Sequence, residues 1–172
     1  MSYFLTDVEA DGPIPGDYSM ISIGCVVVRP GLDRRFSANL RPISEKYVEE
    51  ALSVSGKTRS ETMLAEDPKQ VMQRFAEWIA ANSDSRTLFI SDNNGFDWMF
   101  VCWYFHHFMG VNPFGYSSTN LGSLYKGMVK STRKSFKHLR LTAHTHDPLD
   151  DAIGNAEALL RMKEELGLEI DL

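Results

Sequence analysis

The stretch SYFLTDVEADGPIPGDYSMISIGCVVVRP, from Ser2 to Pro30, decides how the rest of the chain is arranged. SYFLTDV (Ser2 to Val8) has the aromatic and branched content of a strand, and DGPIPGD interrupts it with the glycines and prolines of a loop. MISIGCVVVRP then forms a second, well-buried strand, ended by Pro30 and Gly31. A third strand follows in RRFSANLRP, where Phe36, Ala38 and Leu40 alternate with polar neighbours. Three strands joined by short loops predict an antiparallel meander.

Beyond the meander the pattern turns helical. Asp67-Pro68 is an N-cap and first-turn pair, and Val71, Phe75, Trp78 and Ile79 repeat at helical spacing. TLFIS is a short apolar strand, and GFDWMFVCWYFHHFMG after it is too apolar all round for a surface helix, so it is expected to be buried. A last helix opens at Asp147-Pro148 and runs to Leu166-Gly167, with Leu149, Ile153, Ala156 and Leu160 as its core stripe. This order of elements is that of an α/β layer protein with a mixed sheet.

The 172 residues are read as one domain, 1–172, because no linker, repeat or low-complexity tract divides them. A composition 43% hydrophobic and 24% charged excludes a disordered chain. No apolar run approaches the roughly 20 residues of a membrane span, so no membrane partner is expected. The N-terminus lacks a basic region and meets an acid at Asp7, so no secretory leader is expected. Cys25 and Cys102 belong to no C-x-x-C, and two buried thiols in the reducing cytoplasm are the expectation. The net charge of −5 argues against a protein that coats nucleic acid by bulk electrostatics. Two bound divalent cations would bring it to −1, so a nuclease is not excluded.

Several acids are placed for chemistry. Asp7 and Glu9 are two residues apart, so on a strand both face one side, where a divalent cation with oxygen ligands would relieve their repulsion. A solvated strand end explains them as well. Asp97 lies between a strand and the first turn of the apolar helix, a position that favours a carboxylate with or without a metal. In HTHDPLDDA (His144 to Ala152), Asp147 caps the helix, Pro148 takes its first position, and Asp150 imitates a capping box. Periodicity does not separate Asp150 from Asp151. The His-x-His of His144 and His146 is itself a metal-binding pattern. His106 and His107 are read as buried or rim residues of the apolar helix, and His138 as a surface residue. KGMVKSTRKSFKHLR, from Lys126 to Arg140, holds six Lys or Arg and no acid. It is either a solvated face or a strip for phosphates, with Phe136 and the aromatics near Asp97 available to stack on bases.

Together these residues resemble the DEDDh group of 3′-5′ exonucleases. D-x-E is Asp7-Val8-Glu9, N-x-x-F-D runs from Asn93 to Asp97, and H-x4-D from His146 to Asp151, in that order. MISIGCVVV resembles the group's second strand, and ALSVSGKT (Ala51 to Thr58) its A-L-x-x-x-G segment. A sister group carries tyrosine where Asp147 stands here, so the histidine variant fits. Leu121-Gly122-Ser123 departs from an acid-threonine pair often seen before the last motif.

The resemblance implies a ribonuclease H-like three-layer α/β fold, with a mixed five-stranded sheet and helices on both faces. It also implies a metal-dependent hydrolase that frees 5′-mononucleotides from 3′ ends. Asp7, Glu9, Asp97 and Asp151 would hold two Mg²⁺, with Mn²⁺ as a substitute, and His146 would be the general base. Histidine suits proton transfer near neutral pH. Val8, Ala10, Asn93, Phe96, Lys134 and Lys137 would contact substrate. The compact, RNase T-like layout implies the exoribonuclease branch, hence RNA over DNA, and a homodimer. The alternatives are a DNA exonuclease of proofreading or repair type and a non-catalytic nucleic-acid-binding module on the same fold. An amidohydrolase barrel built on His144 and His146 is disfavoured, since such barrels take roughly 250 residues.

Overall fold

The computed structural model describes residues 1–172. The meander is present as β1 (Ser2–Ala10), β2 (Met20–Val27) and β3 (Arg35–Asn39), paired antiparallel. A short helix pair, α1 (Glu49–Val54) and α2 (Arg59–Met63), precedes α3 (Pro68–Ala81). Then come β4 (Thr87–Ser91), α4 (Asn94–Met109), β5 (Ser118–Asn120), α5 (Leu121–Met128), a 3₁₀ turn at Lys137–Leu139, and α6 (Pro148–Leu166). The sheet order is β3-β2-β1-β4-β5, and β4 runs parallel to both β1 and β5. The expected α/β architecture with a mixed five-stranded sheet is therefore present. The short α1, α2, α5 and β5 carry too few periodic residues to have been located individually from the sequence.

Strand alternation sorts the core into two layers. Phe4 and Val8 of β1 face a cluster built with Val71, Met72, Phe75 and Ile79 of α3 and Phe100, Val101, Tyr104 and Phe105 of α4. Leu5, one residue out of phase with Phe4, faces the other layer, with Ala152, Ile153, Ala156, Leu159 and Met162 of α6 and Tyr125 of α5. Each fully buried large side chain in these layers contributes about 1.5–3 kcal/mol. By the same alternation Asp7 and Glu9 share the α6 side of β1.

Both predicted helix starts hold. Asp67 accepts from the backbone N–H groups of Lys69 and Gln70, and Asp147 from those of Leu149 and Asp150, each with proline in the first turn. Three packing expectations fail. The α6 stripe is displaced: Leu149 and Leu160 are only half-buried, while every residue from Asp151 to Ala156 is buried. That helix is covered on several sides, which a one-face pattern does not describe. Helix α4 buries one face only: Trp98, Met99, Cys102 and Trp103 are half-buried and His106 and His107 exposed. Cys102 is accordingly not a core thiol, whereas Cys25 is buried and accepts a hydrogen bond from Thr6 Oγ1 at 3.1 Å.

Candidate active site

Gly24 of β2 stands opposite Asp7 of β1 in the antiparallel register. It is where the first turn of α6 meets the sheet. A Cβ on Gly24 would fall 2.2 Å from Leu149 N and 2.3 Å from Pro148 C. The missing side chain lets the first turn of α6 rest directly on the sheet, and Asp151 follows within that turn. Oxygen atoms of Asp7, Glu9 and Asp151 consequently all lie within 4.8 Å of one another. This also separates the two acids that periodicity left equivalent. Asp151 is 1% exposed and points inward, while Asp150 is half-buried and accepts a hydrogen bond from Thr145 Oγ1 at 3.3 Å. No reciprocal capping box forms with Asp150; Asp147 alone caps the helix.

Asp97, in the first turn of α4, is buried, and its Oδ2 has no hydrogen-bond partner. Burial pushes its carboxyl up to about 8, against the opposing hydrogen bonds from Ser91 and the Val8 backbone. Glu9 is pushed up to about 7, chiefly by burial, with the charge of His146 opposing. Asp7 is raised well above the usual carboxylate range, first by burial and then by the charges of Asp97, Asp151 and Glu9. Four acids converge here from β1, α4 and α6, and they repel one another in a poorly hydrated place. An oxygen-seeking divalent cation would relieve that repulsion and satisfy the orphaned Asp97 oxygen, so the donor set fits such an ion.

His146 lies at the mouth. Its Nδ1 is 3.7 Å from Glu9 Oε1, and its side chain is 48% exposed. Its backbone is left-handed, with φ at 60°. For a residue with a Cβ this costs on the order of 1–2 kcal/mol. The His146 N–H donates to Asp151 Oδ2 at 3.1 Å, which holds the turn against that strain.

Sequence reasoning missed Arg140. It reads as one member of a basic run, yet its side chain is 6% exposed, and its Nη2 lies 2.8 Å from Asp151 Oδ1. The guanidinium packs where Gly154 lacks a Cβ; one added there would be 2.5 Å from Arg140 Nε. Arg-x13-Gly carries no local signal, so only the tertiary contact reveals the pair. Asp11 was also missed. It is buried, pairs with Arg59 Nη1 at 2.8 Å and accepts from the Ser19 N–H, closing the loop between β1 and β2. Lys57, from the ALSVSGKT segment, lies near enough to Glu9 for its charge to lower that carboxyl's pKa.

The expected substrate contacts divide. Asn93 is exposed and Phe96 half-buried at the start of α4, beside the acids. Val8 and Ala10 are buried, so only their backbone can meet a ligand. Lys134 and Lys137 are exposed. Phe136 is 3% exposed and packs edge-on to Tyr125, so it cannot stack on a base. Like Arg140, it turns inward from a segment whose charges suggest a solvated strip.

Residues 4–159 match the family profile described as exonuclease, of RNase T type. The 3′-5′ DNA exonuclease Cap18 of Escherichia coli is 37% identical over 171 residues, covering 93% of this chain and 90% of its own. Among solved structures, a full-length 3′-exonuclease superposes with a TM-score of 0.78 at 17% identity, over 99% of this chain and 63% of that one. The zinc-bound complex of Escherichia coli exonuclease I with single-stranded DNA superposes with a TM-score of 0.77 at 14% identity, over 96% and 41% respectively. The chain thus spans under two thirds of the length of these two structures, and at such identities they report the fold.

Proposed function

This chain belongs to the exonuclease family, and from that premise we propose that it removes nucleotides one at a time from the 3′ end of single-stranded DNA, releasing 5′-mononucleotides. The observation that carries the chemistry is the convergence of Asp7, Glu9 and Asp151 beside the buried, unpartnered Asp97 oxygen. The choice of DNA rests on Cap18, the 37%-identical relative named as a DNA exonuclease. The preference for RNA implied by the compact layout has no comparable support, because the RNA-binding structural neighbour is 17% identical and informs only on fold.

In this reading Asp7, Glu9, Asp97 and Asp151 hold divalent cations, Mg²⁺ by the hardness of an all-oxygen donor set. Bound there, a metal pair supplies Lewis-acid activation of water and charge stabilisation at the scissile phosphate. His146 accepts the proton of the attacking water from its position at the mouth, beside Glu9. Arg140 keeps Asp151 oriented. Lys57 and the backbone of Val8 and Ala10 receive the terminal nucleotide, with Asn93 and Phe96 on the opposite side.

The test is digestion of matched 5′-labelled single-stranded DNA and RNA in Mg²⁺. The expected result is a ladder shortening from the 3′ end, faster on DNA, with Asp97→Asn inactive. Substitution of His146 by alanine should lower the rate about 10²–10⁴-fold, the usual contribution of a general base. Full activity in Asp97→Asn, or products cut internally, would overturn the assignment.

A further inference from the structure

The exonuclease chemistry uses His146 and Asp151 but leaves His144 of the His-x-His pattern without a task. His144 Nδ1 lies 2.8 Å from Asp151 Oδ1, and the ring centroids of His144 and His146 are 4.3 Å apart. One donor atom each from His144, His146 and Asp151 fits within 4.8 Å of the others. Tetrahedral zinc, with bonds of about 2.0–2.2 Å, places its ligands about 3.3–3.6 Å apart. Binding would have to close the trio by at most about 1.2 Å, through rotation of the two imidazoles, which are 51% and 48% exposed.

The start of α6 therefore belongs to two donor sets that share Asp151. Asp7, Glu9 and Asp151 offer only oxygen, which suits Mg²⁺; His144, His146 and Asp151 offer two nitrogens and one oxygen, which suits Zn²⁺. Arg140, 2.8 Å from the same Asp151 oxygen, opposes any cation there. Imidazole nitrogens favour zinc over magnesium at this trio.

We propose that His144, His146 and Asp151 form a zinc site whose occupation switches the exonuclease off. The switch rests on the reading of His146 as the base and Asp151 as a magnesium ligand. Zinc in the trio ties up the His146 lone pair needed for proton transfer and draws Asp151 away from Asp7 and Glu9. His144 is the residue that distinguishes this site from the carboxylate centre.

To test it, Zn²⁺ is titrated calorimetrically into the full chain in excess Mg²⁺, for the unmodified protein, His144→Ala and Asp7→Asn. For the unmodified protein and His144→Ala, the same zinc series is run over the Mg²⁺-supported digestion of labelled single-stranded DNA, each referred to its own zinc-free rate. The unmodified chain should bind one zinc and lose activity as that site fills. His144→Ala should need about tenfold more zinc or beyond for both effects, since even the loss of an outer-shell partner weakens metal sites 10–100-fold. Asp7→Asn should keep the zinc affinity. Equal zinc sensitivity with and without His144 overturns the proposal, because zinc would then act at the carboxylate centre. Binding that leaves the rate unchanged overturns it too. If the unmodified chain digests nothing in Mg²⁺, the exonuclease reading fails by itself, and the calorimetric contrast at His144 still decides the zinc site.

Discussion

Gly24→Ala should disable the enzyme from a position covered by the first turn of α6. The added methyl falls 2.2, 2.3 and 2.4 Å from Leu149 N, Pro148 C and Pro148 O. All three are backbone atoms, so no side-chain rotation clears them. Ordinary contact begins at 3.4 Å, so the first turn of α6 must retreat by about 1.2 Å. Asp151 rides on that turn, while its partner Asp7 stays on β1 opposite residue 24. The retreat therefore opens the spacing among Asp7, Glu9 and Asp151. A misplacement of about 1 Å can lower turnover about 100-fold, and overpacking of this kind destabilises by about 1–3 kcal/mol. The assay is kcat/KM on labelled single-stranded DNA at saturating Mg²⁺, with urea denaturation alongside. A folded Gly24→Ala protein with unaltered kcat/KM would refute the claim that this glycine sets the distance between helix and sheet.

Four further outcomes are expected. Gly127→Ala is the counterpart: nothing lies within 4 Å of its added Cβ in α5, so it should raise stability by about 0.5–1 kcal/mol, read by urea denaturation, with activity unchanged. Without metal, Glu9 and Asp97 have folded pKa values raised to about 7 and about 8, so the stability linked to their protonated forms is full below the unfolded values and lost as pH rises. Melting temperature in chelator should therefore fall from pH 5 to pH 8, and Mg²⁺ should flatten that decline. Arg140→Met should cost about 3 kcal/mol in the metal-free protein, measured by denaturation, because it removes the buried cation paired with the 1%-exposed Asp151 carboxylate and leaves only His144 and backbone N–H groups against it. Phe136→Ala should cost about 3–5 kcal/mol and leave the DNA affinity of the folded protein unaltered, since the ring belongs to the core.

The local signals and the tertiary ones separate cleanly in this chain. The meander, the capped starts of α3 and α6, and the placing of Asp7 with Glu9 follow from neighbours in sequence. Strand alternation, proline at the first helical turn and aspartate before it act over a few residues, so they are visible without a fold. The membership of Asp97, His146 and Asp151 in one centre was legible through resemblance, from spacing and order.

Burial and partnership were decided only by the fold. Asp150 and Asp151 are adjacent acids on one helix, and the contact of that helix with Gly24 turns one toward Asp7 and leaves the other at the rim. Arg140 and Phe136 sit in a run of charge that looks solvated, yet both are drawn inward, one by a buried carboxylate and a glycine gap, the other by Tyr125. The apolar helix α4 has only one side of the sheet to cover, so Trp98, Trp103 and Phe108 stay half-buried at its flank. A sequence specifies which groups can bond or be buried; distance and desolvation choose among them, and these exist only once β1, β2 and α6 have packed.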